Sequence, residues 1–230
     1  MFEKQLDKLE FDWQCPLTMR AWCGAFRNCP NPLGIVTAQQ LDKLEFGEVN
    51  NMVKIKNLNA NDISCDLLLD FNHHQIITKK WVNRNNKWEL IATSDLREWN
   101  NDKRIWISEY LRQQIERGGS VVAAYVGDIL VGFCSVDGGL VGDTAKYANM
   151  TMLFVDDKWR RKGVGGKLFE KICICAKRMD AEKLFISAIP SFDTIAFYFN
   201  IGCEDAREVI SEYVDTDKDR YLEFVLNTAV

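Results

Sequence analysis

Apolar residues recur from Val53 onward at the spacings that are typical of strands and helices. Short apolar or alternating runs predict strands, and apolar residues three or four apart predict amphipathic helices. The predicted strands are 53–58, 75–82, 87–93, 121–125, 129–136, 148–155, 183–189 and 220–226. The predicted helices are 102–117, 163–179, 191–201 and one that begins within 59–62 and carries Leu67, Leu68 and Phe71.

Turn-forming residues separate these elements. The run Asn83-Arg84-Asn85-Asn86 predicts a hairpin between the strands on its two sides, and Gly127-Asp128 predicts a second, tighter one. Gly118-Gly119 is expected to end the helix before it, and Gly138 to Gly142 is expected to be a loop.

The first 51 residues differ from the rest of the chain. The segment Gln5 to Phe11 (QLDKLEF) recurs without change at Gln40 to Phe46, which indicates a local duplication and is too little for a solenoid. Three of the four prolines lie between the copies, so that stretch is expected to be mostly loop. We therefore expect an N-terminal extension at 1–51, of unknown role or a separate binding module, and a main domain at 52–230.

Composition and charge limit the function classes. Hydrophobic residues make up 47% and charged residues 27% of the 230 residues, as in ordinary globular proteins. The formal net charge of -4 disfavours nucleic-acid binding, which normally requires a basic surplus. No apolar run is long enough to predict a transmembrane helix, so no membrane partner is expected.

The cysteines are interpreted as reduced thiols. The chain begins with a polar segment, Met1 to Asp7, with no sign of a signal peptide, and a cytoplasmic location is therefore expected. Spacings of eight and six residues with no nearby histidine disfavour a zinc site at the first three cysteines, and we expect no metal. The cysteines are Cys15, Cys23, Cys29, Cys65, Cys134, Cys173, Cys175 and Cys203.

The segment from Val155 to Lys167 joins a predicted buried strand to an amphipathic helix. Its glycines allow backbone N–H groups to approach a ligand, and the first N–H groups of a helix lack internal partners. With the helix dipole they form an anion site, which suits a phosphate or pyrophosphate. The residues at this site are Arg160, Arg161, Lys162, Gly163, Val164, Gly165, Gly166 and Lys167.

Two nucleotide-binding motifs are excluded at this junction because the residues that they require do not occur at the required positions. A Walker loop requires Ser or Thr after its lysine, whereas Leu168 follows Lys167. A dinucleotide-binding loop requires a third glycine at the position that Leu168 occupies. The alternative interpretation is that the segment binds no ligand. It would then be the start of a helix that contains glycines, with its basic side chains in solvent.

The same segment resembles the signature of the GNAT superfamily of acyl-CoA N-acyltransferases, R/Q-x-x-G-x-G/A. Here the signature reads Arg160-x-x-Gly163-x-Gly165. The run from Ser191 to Cys203 resembles the superfamily's last-helix motif at Tyr198 and Gly202, with Ser191, Thr194 and Cys203 in place of the usual Asn, Ala and Phe. The resemblance covers residues 53 to 230.

The resemblance implies an α+β fold with a mixed, mostly antiparallel central sheet flanked by helices. It also implies acetyl-CoA as co-substrate, with the pantetheine along the backbone of Leu153, Phe154 and Val155 and the pyrophosphate at 161–166. The Val155 N–H would then stabilise the thioester oxyanion, which is worth about 3 kcal/mol. Ser191 and Tyr198 would lie close to the cofactor, and Tyr198 would stabilise the leaving thiolate.

The residue that removes the acceptor's proton stays unassigned. Freeing a primary amine of its proton at pH 7 costs about 4.6 kcal/mol, so a base or a water chain is required. Asn149, Thr151, Leu153 and Val155 share one face by period two, and none is a carboxylate.

The acceptor is expected to bind near the region before the signature. Aromatic and acidic side chains there would suit a cationic amine, although many of the tryptophans are also expected in the core. The set comprises Trp81, Trp88, Trp99, Trp106, Asp95, Glu98, Asp102 and Glu109, whereas His73 and His74 are interpreted as an exposed loop pair.

The function expected from the resemblance is direct transfer of an acetyl group from acetyl-CoA to the primary amine of a small molecule in a ternary complex. A protein or peptide N-acetyltransferase, and an acyl-CoA-binding sensor without catalysis, stay open as alternatives. A homodimer is compatible with the sequence.

Overall fold

The computed structural model describes residues 52–214 and 219–226. Within them the chain forms nine strands and three α-helices. The strands are β1 (Val53–Leu58), β2 (His74–Arg84), β3 (Lys87–Glu98), β4 (Ser120–Val126), β5 (Ile129–Val141), β6 (Tyr147–Val155), β7 (Lys183–Ala188), β8 (Glu204–Asp205) and β9 (Arg220–Val225). The helices are α1 (Asn101–Glu116), α2 (Val164–Arg178) and α3 (Phe192–Asn200).

Seven strands form one sheet in the order β1-β4-β5-β6-β7-β9-β8. The pair β6–β7 is parallel, and the other pairs of this sheet are antiparallel. Strands β2 and β3 form a separate antiparallel hairpin. The predicted fold, a mixed and mostly antiparallel sheet flanked by helices, is therefore confirmed.

Each face of the sheet is covered by a helix. Helix α2 buries the apolar stripe that its spacing predicts, including Leu168 and Ile172, on the face that carries Cys134 and Val136. Helix α1 buries Leu111 on the opposite face, against Phe133 and Phe71. We call these the α2 face and the α1 face.

The hairpins form as their turn residues predict. Asn85 and Asn86, at the β2–β3 turn, both have positive φ, which Asn tolerates better than most residues. Gly127 has a φ of 59° at the β4–β5 turn, and Gly118 has a φ of 86° after α1.

Two predicted elements are wrong. Residues 60–62 form a single 3₁₀ turn, because Ile63 is extended and successive i to i+3 turns follow as far as Phe71 in place of a helix. The predicted loop Gly138 to Gly142 is largely strand, since β5 continues to Val141 and pairs again with β6 at Leu140 and Val141.

The interpretation of His73 and His74 as an exposed loop pair is also wrong. His73 is buried, and its ring lies 4.4 Å from the ring centroid of Trp99 and 5.1 Å from that of Phe154. His74 is half-buried and begins β2. An imidazole has enough apolar surface to fill this aromatic cluster.

Several remaining predictions concern cysteines and residues outside the described part. Cys65, Cys134, Cys173, Cys175 and Cys203 are free thiols, as expected. The repeat, the extension at 1–51 and the first three cysteines lie outside the described residues. No helix within the described ranges is long and apolar enough to cross a membrane.

Candidate active site

Strands β6 and β7 separate shortly after they begin. They pair from Tyr147 with Lys183 to Asn149 with Phe185, and no further pair joins them in the described chain. Beyond that point β6 continues along β5 and β7 continues along β9. A wedge-shaped opening, here called the β6–β7 gap, therefore begins at Asn149.

Two backbone N–H groups of β6 face this gap. The Asp156 N–H donates to the Val131 carbonyl at 3.0 Å, so Gly132 and Val155 form a non-hydrogen-bonded pair of the antiparallel ladder. The N–H groups of Val155 and, two residues earlier, Leu153 consequently point away from β5. The Phe154 backbone points toward β5, so of these three predicted residues only Leu153 and Val155 present N–H groups to the gap.

The glycine loop, residues 160–167, follows β6 and begins α2. Gly163 has a φ of 82° and precedes the first residue of the helix. The N–H groups of Val164, Gly165 and Gly166 have no intrahelical acceptor, whereas that of Lys167 donates to the Gly163 carbonyl at 3.2 Å. Three donors at the positive end of a helix dipole can bind an anion.

The two glycines of α2 have different surroundings. A Cβ at Gly165 would lie 3.1 Å from the Phe197 ring, so Gly165 permits α2 and α3 to pack closely. A Cβ at Gly166 would have no atom within 4 Å. The open space beside the helix start therefore lies at Gly166.

The basic residues of the loop divide into two groups. Arg161 is exposed, while Lys162 and Lys167 are half-buried, with the Lys162 Nζ 5.1 Å from the ring centroid of Trp159. The Arg160 guanidinium contacts the protein itself: Nε donates to the Val155 carbonyl at 3.1 Å and Nη1 to the His74 carbonyl at 2.9 Å.

Arg160 makes two further contacts. Its Nη1 lies 2.8 Å from an Asp157 carboxylate oxygen, and its Nη2 lies 3.0 Å from the His73 Nδ1. Burial, followed by the charge of Arg160, lowers the His73 pKa to about 3, so the ring is neutral and accepts from Arg160. The Arg160 side chain therefore fixes the loop to the start of β2.

Strand β2 contacts both sides of the gap. Near its start, the Asn72 N–H donates to the Asp156 carboxylate at 2.7 Å, at the end of β6. Near its middle, the Trp81 N–H donates to the Pro190 carbonyl at 2.7 Å, just after β7. The hairpin thus crosses the wide end of the β6–β7 gap.

Helix α3 begins next to β2. The Ser191 Oγ caps the helix by accepting from the Thr194 N–H at 3.1 Å, and the Gln75 Nε2 lies 3.4 Å from the same oxygen. Tyr198 lies seven residues further and is buried, with its ring 5.2 Å from that of Phe197. Burial raises the Tyr198 pKa well above its usual value, so the phenol stays protonated.

A cluster around Arg220 joins the hairpin to α3 and β8. The guanidinium carbon of Arg220 lies 5.2, 4.7 and 4.9 Å from the ring centroids of Trp81, Trp88 and Phe199. Its Nε and Nη2 contact the two Asp205 carboxylate oxygens at 2.6 and 2.7 Å. Sequence reasoning missed this cluster, because Arg220 is 139 or 132 residues from the tryptophans (220 − 81 and 220 − 88) and no local spacing connects them.

The structure does not assemble the expected aromatic and acidic acceptor set at one place. Trp99 is a core residue, and Trp106 stacks on Tyr110 at 5.3 Å. Asp95 pairs with Arg97 and Glu109 with Arg112 in exposed salt bridges, while Glu98 and Asp102 are exposed. No group of three or more potential metal ligands occurs in the described ranges.

Residues 117–202 match the family model described as the acetyltransferase (GNAT) domain. This part of the chain is therefore similar to a GNAT acetyltransferase domain. This match includes β4 to α3, the gap and the glycine loop, and it confirms the predicted resemblance to GNAT acetyltransferases. No curated protein sequence matches the chain.

Solved structures of acetyltransferases have the same fold. Nourseothricin acetyltransferase is 13% identical, with a TM-score of 0.58 over 76% of this chain and 99% of its own. A Bacillus anthracis str. Ames protein assigned as a streptothricin acetyltransferase, bound to acetyl coenzyme A, is 16% identical, with a TM-score of 0.56 over 75% and 98%. PaiA N-acetyltransferase from Thermoplasma acidophilum, bound to coenzyme A, is 13% identical, with a TM-score of 0.50 over 75% and 98%.

Proposed function

We propose that this protein transfers an acetyl group from acetyl-CoA to the primary amine of a small molecule, directly and within a ternary complex. The observation that carries the proposal is the β6–β7 gap with unpaired N–H groups on one edge and the glycine loop at its wide end. A narrow opening that leads to an anion site suits an extended chain ending in a pyrophosphate.

The backbone would hold the cofactor in this arrangement. The pyrophosphate accepts from the N–H groups at the start of α2, with Arg161, Lys162 and Lys167 adding positive charge. The pantetheine lies along β6, where Leu153 and Val155 offer N–H groups. Arg160 acts indirectly, since its guanidinium already contacts four groups of the protein and so positions the loop rather than the phosphate.

The chemistry requires few protein groups. The acceptor amine attacks the thioester carbonyl carbon, and the Val155 N–H stabilises the negative charge that develops on the carbonyl oxygen. The C–S bond then breaks, and the protonated phenol of Tyr198 donates a hydrogen bond to the leaving thiolate. A high Tyr198 pKa favours hydrogen bonding over full proton transfer.

The relatives' names support a small-molecule acceptor. Two proteins of the same fold are named for antibiotic acetylation, and two are bound to acetyl coenzyme A or coenzyme A. The free thiols of the described cysteines are compatible with a reducing compartment such as the cytoplasm. A non-catalytic acyl-CoA sensor would bind the same cofactor and form no acetylated product, so an acceptor screen that detects free CoA separates the two functions.

Calorimetry on variants of Gly166 tests the cofactor site. A side chain there extends into open space, whereas a Cβ at Gly165 would lie 3.1 Å from the Phe197 ring and would require that ring to shift. We expect Gly166→Glu to weaken acetyl-CoA binding at least tenfold, because a carboxylate would face the phosphates, which costs about 1.4 kcal/mol or more. The matched control Gly166→Gln introduces a side chain of the same size without the charge, and its loss of acetyl-CoA affinity should be smaller.

The two variants test whether the start of α2 is the phosphate site. Equal acetyl-CoA affinity in the wild type, Gly166→Gln and Gly166→Glu would show that the start of α2 is not the phosphate site. Thermal unfolding of each variant checks that the fold is retained.

A further inference from the structure

Strand β3 has an open edge. It pairs with β2 on one side, and among the described residues no strand pairs with its other side. Eight of its twelve residues are exposed, and they are spread from one end of the strand to the other, so the edge is accessible to a partner. An open edge of this length is a template for pairing with a further strand, and a hairpin of two strands gains stability from additional ones.

A bulge in β3 determines which of its side chains share a face. Ile77 and Lys79 of β2 are two residues apart and lie on one face. Their partners, Asp95 and Ala92, are three residues apart, so β3 contains one extra residue between them. Counting outward from the bulge assigns the two faces of β3. One face carries Trp88, Leu90, Ala92, Asp95 and Arg97, and the other carries Lys87, Glu89, Ile91, Leu96 and Glu98.

The charges along β3 are complementary to those of a second, antiparallel copy of the same strand. When a two-fold axis passes through Ala92, each residue outside the bulge lies opposite a residue of the same face. Lys87 then lies directly opposite Glu98 of the second copy, and Trp88 lies opposite Arg97 of the second copy. Opposite charges and cation–aromatic pairs at such positions stabilise a sheet, and the symmetry repeats each contact.

The neighbouring registers fit less well. A two-fold axis at Ile91 would leave the last two residues of β3 unpaired. An axis at the bulge, residues 93–94, would place Glu89 opposite Glu98 of the second copy, and like charges directly opposite each other destabilise a sheet. The register centred on Ala92 therefore uses the whole strand and pairs opposite charges.

The exposed apolar side chains of the hairpin agree with the same register. Ile76 and Leu96 lie opposite each other and are 62% and 57% exposed. With the axis at Ala92, Leu96 becomes a diagonal neighbour of Ile91 of the second copy, which is within reach of a long side chain. The pairing thus extends the apolar row of Ile76 and Leu96 onto the second copy.

We propose that β3 is a homodimer interface, at which two copies of the chain form one four-stranded antiparallel sheet in the order β2–β3–β3–β2. Both copies use the same surface, so the pairing is closed and leaves no open edge on β3. Strand β2 crosses the wide end of the β6–β7 gap, and the shared sheet supports this strand in both copies. The inference does not depend on the proposed acetyl transfer.

Charge reversal at the two ends of β3 tests the pairing in the full chain. Sedimentation velocity over a range of protein concentrations should give a wild-type dimer with twice the mass of the 26.5 kDa chain. Lys87→Glu and Glu98→Lys each place like charges opposite each other at two positions of the dimer, so each should raise the dimer Kd about tenfold. The double variant Lys87→Glu/Glu98→Lys restores both pairs, and its Kd should lie within about threefold of the wild type.

Recovery in the double variant would be specific to contact between copies. Lys87 and Glu98 are the two ends of a twelve-residue strand, about 30 Å apart, so they cannot pair within one chain. Lys80→Glu is the matched control, because it makes the same change of charge on β2, which does not adjoin the second copy, and its Kd should stay within about twofold. All three residues are exposed, so thermal unfolding should show that each variant is folded.

Hydrogen exchange locates the interface by a second measurement. The backbone amides of β3 should exchange more slowly in the wild-type dimer than in Lys87→Glu at a concentration at which this variant is monomeric. Equal exchange in the two, a Kd that neither single reversal changes, or a double variant that dimerises no better than the single ones would each overturn the inference. A wild type that stays monomeric would also overturn it and would leave the edge to a strand of another protein. None of these results affects the acetyl-CoA site at the start of α2, which the Gly166 variants test separately.

Discussion

At the scale of single residues, His73 shows how a buried neutral ring can position the glycine loop through Arg160. Arg160 is permanently charged, and the His73 Nδ1 accepts from it at 3.0 Å only while the ring is neutral. A proton on Nδ1 would remove the acceptor and place two cations together. The low pKa of about 3 follows mainly from burial and then from this neighbour.

The His73 pKa predicts a dependence of stability on pH. The pKa is about 6.5 in the unfolded chain and about 3 in the folded protein. Because the pKa is lower in the folded protein, the stability that the neutral His73 ring contributes is complete above about pH 6.5. This stability is lost as the pH falls toward 3. At pH 5 the free energy of unfolding should be lower by about 2 kcal/mol for this reason. Urea unfolding at pH 7 and pH 5 should show this loss in the wild type and not in His73→Gln, whose amide oxygen can still accept. An equal loss between pH 7 and pH 5 in the wild type and His73→Gln would contradict a buried neutral His73.

Tyr198 carries a second prediction at this scale. If its phenol stabilises the leaving thiolate, Tyr198→Phe should lower turnover by about 10- to 100-fold and leave acetyl-CoA affinity nearly unchanged, because the contact strengthens only as charge develops. Single-turnover kinetics with an amine acceptor measures the change. Unchanged turnover in a folded variant would mean that Tyr198 acts only as a core aromatic residue against Phe169 and Phe197.

At the scale of elements, local signals in the sequence were enough to predict most strands and helices. The β2–β3 hairpin follows from Asn85 and Asn86, and α2 follows from its apolar stripe. The helix expected after Asn59 does not form, because Leu68 and Phe71 are buried through turns rather than through helical periodicity. Burial alone cannot distinguish these two arrangements from a short apolar run.

The candidate site was predictable only where it is local. The glycine loop and the N-cap of α3 are contiguous motifs, so sequence reasoning located Gly163 and Ser191. The contacts of Arg160 with His73 and His74 join segments that are distant in the sequence, so no local spacing indicates them.

The Arg220 cluster predicts how the hairpin is held. Arg220→Lys keeps the charge but loses the planar, two-pronged contact with Asp205 and the stacking on Trp81 and Trp88. We expect the free energy of unfolding to fall by about 1 to 2 kcal/mol, because the buried guanidinium loses its two-pronged contact with a half-exposed carboxylate. Arg84→Lys on the same hairpin should cost less than about 0.5 kcal/mol, since its pair with Glu89 is exposed. Equal losses in the two variants would contradict this role.

At the scale of the whole molecule, the proposed function depends on the β6–β7 gap. The glycine loop and the β6 edge of the gap would position the cofactor. The gap connects the two faces because β6 and β7 pair over only three residues, from Tyr147 to Asn149. A sheet with full β6–β7 pairing would leave no opening between its two faces, so the proposed direct transfer requires the incomplete pairing.

The division of the chain at Met52 gives the last prediction. Strand β1 pairs along its full length with β4, from Val53 with Val126 to Leu58 with Val121, and it forms one edge of the sheet. A protein that begins at Met52 retains this strand and every element around the gap. We therefore expect it to be soluble, to unfold cooperatively, and to bind acetyl-CoA within about twofold of the full chain in calorimetry. A protein that begins at Asn59 is the matched control: it lacks β1, exposes the backbone of β4, and should unfold or aggregate. If the protein that begins at Met52 is insoluble or does not bind acetyl-CoA, the first 51 residues belong to the folded unit, and the proposed boundary is wrong.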